Sequence, residues 1–90
     1  MEKLKIKAGY QLRTVAGRTV VVPTEDTLDV NMMIVLNETG KLLWERLSDG
    51  ATSEELVAAL LEKYSVPKET ALRDVQVFIS RMRKHELFDQ

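Results

Sequence analysis

The chain has 90 residues, of which 44% are hydrophobic and 30% charged, and its formal net charge at pH 7 is −1. This composition is ordinary for one globular domain with a modest core and argues against disorder. The chain contains no cysteine, which excludes disulfides, thiolate metal sites and a cysteine nucleophile. No apolar run approaches the roughly 20 residues of a membrane span, and residues 1–7 lack a signal-peptide core, so we expect one cytoplasmic domain over residues 1–90.

Charge is unevenly distributed along the chain. Residues 1–24 carry five Lys and Arg against Glu2, whereas residues 25–64 hold nine carboxylates against three basic residues. In residues 65–90 the numbers of basic and acidic side chains are nearly equal. No segment therefore has the concentrated basic surface expected of a nucleic-acid-binding protein.

Two β-branched runs, Tyr10–Val15 and Arg18–Val22, open the structured part of the chain. Ala16 and Gly17 separate them, and the glycine tolerates the positive φ of a tight turn, so the pattern predicts a β-hairpin. Pro23 cannot donate to a β-ladder, and the second strand should therefore end near it.

A third strand is expected within Asp29–Leu36, after a polar connection at residues 24–27. If Ile34 and Leu36 point into the core, the two-residue period of a strand places Met33 and Val35 on the opposite face.

The first predicted helix runs from about Asn37 to Ser48. Asn37 is a good N-cap, and Gly50 supplies the left-handed conformation that ends many helices. The apolar stripe of this helix consists of Leu43, Trp44 and Leu47, so Trp44 is expected to be partly buried in the core. Gly40 is unfavourable in a first helical turn, and a close approach of helix to sheet would explain it.

Two further helices are predicted, from about Thr52 to Tyr64 and from about Pro67 to Glu86. Thr52 and Glu55 have the spacing of a capping box, and Pro67 suits a first helical position. The core face of the last helix is formed by Ala71, Val75, Phe78 and Met82, widened by Leu72 and Ile79. A small antiparallel sheet followed by three helices is an α+β arrangement.

An open sheet edge beside the last helix is the strongest physical candidate for a binding site. Three strands leave two edges, and the unpaired backbone groups of an edge can pair with another extended peptide. Asp74, Val77 and Arg81 form one stripe on the flank of the core face. Without further information, solvated charges around the core periphery are the simpler interpretation, because most exposed ion pairs contribute little.

The order of these elements resembles the family of coenzyme PQQ synthesis protein D (PqqD). The likeness rests on Leu36-Asn37 at the end of a strand, Trp44 on the following helix, and the sequence from Thr52 to Leu56 that opens the next. It continues through Leu60, Tyr64, Asp74, Val75, Phe78, Met82 and Leu87. The resemblance implies a winged helix-turn-helix: a three-stranded antiparallel sheet followed by three helices.

The resemblance also implies a function. PqqD-like domains are recognition elements for ribosomally made, post-translationally modified peptides, and they add the leader segment of a precursor peptide as an extra strand beside the third strand and third helix. On this chain the implied contacts are Asn31, Met32, Met33, Ile34 and Val35 from the strand and Arg73, Asp74, Val77, Phe78 and Arg81 from the helix.

Such a domain catalyses nothing and needs no cofactor. It acts as a peptide chaperone, holding the leader so that a modifying enzyme meets the rest of the precursor at high effective concentration. In this family the enzyme is often a radical S-adenosylmethionine protein, PqqE-like in PQQ biosynthesis. The partners implied are therefore a leader peptide and that enzyme, with no nucleic acid or membrane, and the domain would be a monomer or homodimer.

Two other functions stay open. A winged helix-turn-helix can bind DNA, but Glu69 and Asp74 place negative charge on the helix that would enter the major groove. The chain could also be a docking subunit that binds an enzyme without binding a peptide. An enzyme has the least support, because the sole histidine, His85, has no partnered base or additional metal ligands in the pattern.

Overall fold

The computed structural model describes residues 3–23 and 34–88. The strands are β1 (Tyr10–Val15), β2 (Arg18–Pro23) and β3 (Ile34–Leu36), in an antiparallel sheet of order β1-β2-β3. The helices are α1 (Glu38–Asp49), α2 (Ser53–Lys63) and α3 (Lys68–Lys84). The predicted α+β order is confirmed. The predicted polar connection at residues 24–27 and the strand residues Asn31, Met32 and Met33 lie outside the described residues.

The β1–β2 hairpin is as predicted, with Leu12 paired to Val21 near its centre. Its turn residues both have positive φ, 52° at Ala16 and 79° at Gly17. Tight two-residue turns of this kind match the right-handed twist of the strands and require positive φ at both positions. Ala16 therefore adopts a conformation that is unfavourable for a residue with a Cβ.

Strand β3 pairs with β2 and lies at one side of the sheet, with Val35 opposite Val20. Ile34 and Leu36 are buried, whereas the Val35 side chain is 44% exposed. The alternation confirms the predicted orientation of these three residues, because successive strand side chains point to opposite faces.

Helix α1 begins immediately after β3. Asn37 has extended backbone and its side chain accepts from the Gly40 N–H at 2.8 Å. At the other end, Gly50 has φ 93° and its N–H donates to the Leu47 carbonyl. Both caps lie at the predicted residues, but Gly50 combines its positive φ with ψ 128°, outside the αL region of the predicted left-handed cap. Trp44 is more deeply buried than expected, at 3% exposure.

Helix α2 opens with the predicted capping box. The Thr52 hydroxyl accepts from the Glu55 N–H at 3.1 Å, and the Thr52 N–H donates to Glu55 Oε1 at 2.9 Å. The backbone hydrogen bond from Thr52 lowers the pKa of Glu55; desolvation opposes it, and the Thr52 hydroxyl and the Lys3 charge add to the lowering. The ionised carboxylate is therefore the form that the folded chain favours.

Helix α3 differs from the prediction in three details. Pro67 is the N-cap, with ψ 146°, and helical residues begin at Lys68; a proline has no side-chain acceptor to cap the helix. The helix ends at Lys84 with His85 as its C-cap, and Glu86 follows with φ 56°. Leu72 is 41% exposed, so it does not widen the core stripe, whereas Ile79 packs against the core.

The first described residues contribute to the core, which was not predicted. Leu4 and Ile6 are buried, and the Leu4 N–H donates to the Ala51 carbonyl at 2.8 Å. Ile6 forms an isolated bridge with Phe88, near the other end of the chain. The segment thus closes the core over the ends of α1 and α3.

The core lies between the inner face of the sheet and the three helices. Its most deeply buried large side chains are Leu43, Leu47, Leu56, Leu60, Met82, Leu87, Val21 and Val75. None of the described helices is long and apolar enough to cross a membrane.

Candidate functional site

A groove runs between β3, the first turn of α1 and α3, and we call it the edge groove. It consists of two adjoining cavities of about 220 and 330 Å³. The smaller volume is below, and the larger one at the lower end of, the roughly 300–1,000 Å³ of pockets that enclose drug-sized molecules, so each cavity has room for one or a few side chains. Its lining residues are Arg18, Val35, Leu36, Asn37, Thr39, Gly40, Leu43, Asp74, Val77, Phe78 and Arg81.

The junction of β3 and α1 forms one side of the groove, and Gly40 sets its shape. A Cβ at position 40 would lie 3.2 Å from Asn37 Oδ1 and 3.3 Å from Leu36 Cβ. Any larger residue would thus press on both the cap and the strand. This close approach is the explanation expected from the sequence for a glycine in a first helical turn.

Apolar surface lines the groove from two elements. Phe78 is buried, at 7% exposure, whereas Val77 beside it is 61% exposed. Val35, on the β3 side, is 44% exposed. Val77 is the most exposed of the large hydrophobic side chains in the described residues. An exposed apolar surface beside a strand edge is a feature that an added ligand would cover.

Arg81 joins the two sides of the groove. Its Nη2 donates to the Val35 carbonyl at 3.2 Å. Within residues 3–23 and 34–88 this is the only side-chain hydrogen bond that connects residues more than four positions apart. In an antiparallel pair the N–H and C=O of one residue point to the same side, so the Val35 N–H also faces the groove.

The two cavities differ in charge. Among residues 3–23 and 34–88, the larger one is lined by two guanidinium groups, Arg18 and Arg81, and by no carboxylate. The smaller one is lined by Asp74 together with Arg81, around the apolar contacts of Leu43 and Val77. Arg81 is therefore shared, and positive charge is concentrated at the β3 side of the groove.

The structure brings five of the predicted contact residues together in the groove: Val35, Asp74, Val77, Phe78 and Arg81. Ile34 is next to it, but its side chain is 2% exposed and packs in the core. Arg73 is exposed on α3 and lines neither cavity. Asn31, Met32 and Met33 lie outside the described residues.

Sequence reasoning missed the contributions of Arg18 and of the first turn of α1. Asn37 and Gly40 were noticed as a cap and as an oddly placed glycine, and each also lines the groove. The signal that could have suggested this is the cap itself, because a helix that begins one residue after a strand must place its first turn beside the strand end. Arg18 carries no comparable signal.

Other reactive groups do not converge in the described residues. No group of three or more His, Cys, Asp or Glu among them is arranged to hold a metal ion. His85 is half-buried at the C-cap of α3, where its backbone N–H donates to the Arg81 carbonyl at 3.3 Å.

Comparison with known proteins identifies relatives of this architecture. The sequence model of the family described as coenzyme PQQ synthesis protein D (PqqD) matches residues 18–87. The solved structure of TbiB1 in complex with the TbiA(beta) leader peptide is similar at a TM-score of 0.73 and 26% identity, with 94% of each chain covered. Lasso peptide synthetase B1 complexed with the leader peptide shares the fold at a TM-score of 0.72 and 17% identity, covering 97% of this chain and 98% of that one. No curated protein matches the sequence.

Proposed function

Because the chain belongs to the PqqD family, we propose that it is a non-catalytic protein that binds the leader segment of a ribosomally synthesised precursor peptide. The leader pairs with β3 as an additional strand and lies in the edge groove. The protein presents the bound precursor to a modifying enzyme, which we propose to be a radical S-adenosylmethionine protein.

One observation carries this proposal: backbone groups of the β3 edge face a groove whose walls expose apolar side chains. Backbone pairing supplies hydrogen bonds that are largely independent of the peptide sequence, and the pockets beside the edge supply selectivity. Val35 and Val77 provide apolar contacts from β3 and α3. The two similar solved structures, which contain leader peptides, support the same type of ligand.

The contribution of Val77 follows from its exposure. Burying a whole valine side chain stabilises by about 1.5–3 kcal/mol, and 61% of this side chain remains for a ligand to cover. Its share of the binding free energy is then about 1–2 kcal/mol, or roughly a tenfold change in Kd. Aspartate at this position would also place a second carboxylate near Asp74 and increase the loss for an apolar ligand.

The test is affinity capture from an extract of the source cells with the immobilised chain, followed by mass spectrometry of both short peptides and proteins. We expect a short unprocessed precursor peptide to be retained by the wild type and lost with Val35→Asp or Val77→Asp. Matched controls are Val15→Asp on β1 and Leu72→Asp on α3, which alter exposed apolar residues outside the groove.

The outcomes separate the candidate functions. Equal retention by all four variants would refute the site, and recovery of an enzyme without any peptide would favour a docking subunit. Recovery of nuclease-sensitive nucleic acid, with binding that weakens steeply as salt is added, would indicate a DNA-binding protein instead.

A further inference from the structure

The Arg81–Val35 hydrogen bond occupies the group that strand addition needs. Within β3, Val35 is the residue whose backbone faces the groove, and its carbonyl already accepts from Arg81 at 3.2 Å. An incoming strand would pair its own N–H with this carbonyl. A carbonyl oxygen can accept two hydrogen bonds, but the guanidinium lies 3.2 Å from it on the edge along which the incoming backbone would run. We therefore expect a bound peptide to displace Arg81, and the guanidinium then requires another acceptor.

The surroundings of Arg81 indicate which acceptor would be suitable. The larger cavity contains Arg18 as a second guanidinium, and none of its described lining residues is a carboxylate. Arginine presents a planar set of donors that matches a carboxylate, and such charge-assisted bonds are about twice as strong as neutral ones. Asp74 lines the adjoining smaller cavity and not the larger one.

We propose that Arg81 closes the β3 edge in the free protein and selects leader peptides that carry an Asp or Glu side chain. On binding, the peptide N–H replaces Arg81 at the Val35 carbonyl, and the peptide carboxylate becomes the partner of Arg81 and Arg18. A neighbouring apolar side chain of the same peptide enters the smaller cavity, against Leu43 and Val77. This inference rests on the proposed function and adds the chemistry of the leader.

The edge-closing role has a separate physical reason. An open strand edge invites pairing with another chain, and proteins commonly protect such edges with charged side chains. Arg81 supplies this protection from a neighbouring helix, and it can be withdrawn without unfolding any backbone because the residue is exposed.

The experiment uses a phage-displayed library of random dodecapeptides, selected on the full chain. Three proteins are compared: wild type, Arg81→Glu, and Lys68→Glu as a control with the same change in charge. Lys68 is exposed on the same helix, about 140° around it from Arg81, and a glutamate in the first turn suits the helix dipole. Circular dichroism verifies that each variant is folded.

We expect wild type and Lys68→Glu to enrich peptides with Asp or Glu at a fixed spacing from an apolar residue. Arg81→Glu should enrich Lys or Arg at that position instead. For the strongest wild-type peptide, replacing its acidic residue with the corresponding amide should weaken binding about tenfold to wild type. With a fourth protein, Arg81→Gln, the same replacement should weaken binding less than it does with the wild type, because only Arg18 is left to pair with the peptide carboxylate.

The two proposals fail differently. If the wild type enriches peptides without a fixed acidic position, the role of Arg81 is overturned and peptide binding stands. The same holds if Arg81→Glu enriches peptides with the same acidic position as the wild type. Failure of the wild type to enrich any peptide would overturn the proposed function and this inference with it.

Discussion

Replacing Gly40 with alanine tests how closely α1 approaches β3. The added Cβ would lie 3.2 Å from Asn37 Oδ1, 3.3 Å from Leu36 Cβ and 3.4 Å from Leu36 Cδ2. Alanine favours a helix over glycine by about 1 kcal/mol. Overpacking typically costs about 1–3 kcal/mol, and displacing Asn37 weakens a cap worth about 1 kcal/mol. We therefore expect the free energy of unfolding to fall by roughly 1–2 kcal/mol, although alanine is the better helix former.

The measurement is urea-induced unfolding followed by circular dichroism, with a thermal scan as a second measure. For a chain of this size each kcal/mol corresponds to a change in Tm of about 4–8 °C. In an Asn37→Ala background, Gly40→Ala should lower the free energy of unfolding by a smaller amount, because the crowded Asn37 Oδ1 atom is then absent. A Gly40→Ala protein as stable as the wild type, or more stable, would refute the reasoning about close approach.

Four smaller predictions concern turns, caps and surface positions. Ala16→Asn should stabilise the chain by about 0.5–1 kcal/mol, because asparagine tolerates positive φ better; an unchanged urea midpoint would count against it. Thr52→Ala should lower the free energy of unfolding by about 1 kcal/mol in the same assay. Folding lowers the pKa of Glu55, so its stabilisation is present above the unfolded pKa and lost as pH falls through the folded pKa. The stability difference between wild type and Glu55→Ala, measured across pH, should therefore narrow below about pH 4. The Val77→Asp and Leu72→Asp proteins, both changed at exposed positions, should have free energies of unfolding within about 0.5 kcal/mol of the wild type, whatever their effects on binding.

Local signals in the sequence predicted the helix boundaries well. Asn37, Gly50 and the Thr52–Glu55 pair each act through hydrogen bonds to residues at most four positions away, so the information is contained in a short window. Pro67 was misplaced by one position because a proline is compatible with both the cap and the first turn. Such one-residue uncertainty is inherent in helix ends.

Long-range packing accounts for what the sequence did not predict. The alternation of Leu4 and Ile6 with lysines has the period of a strand, but the residues that they contact, Ala51 and Phe88, are far along the chain. Leu72 fits the helical stripe as well as Ile79 does, and only the placement of the other helices leaves it exposed. A helical period identifies a face but not its width.

For the candidate site too, local spacing was predictable from the sequence and long-range contacts were not. Asp74, Val77 and Arg81 were found from their spacing on one helix, and the family resemblance suggested which strand they would face. The hydrogen bond from Arg81 to Val35 spans 46 positions and depends on how α3 is placed against the sheet. No periodicity in the sequence encodes that distance.

Asn37 is the only residue between the end of β3 and the start of α1, and its side chain caps the helix that follows. A one-residue link restricts how far β3 and α1 can move relative to each other. The shape of the groove between them is therefore set by folding, before a peptide binds. If Arg81 closes the β3 edge as proposed, the motion required of the described groove is a rotation of Arg81, and exposed side chains change rotamer within picoseconds to nanoseconds. Association would then be limited by orientation, at about 10⁵–10⁷ M⁻¹ s⁻¹. A leader held with a micromolar Kd would leave at about 0.1–10 s⁻¹, a rate that allows one copy of the protein to serve successive precursors during slow enzymatic turnover.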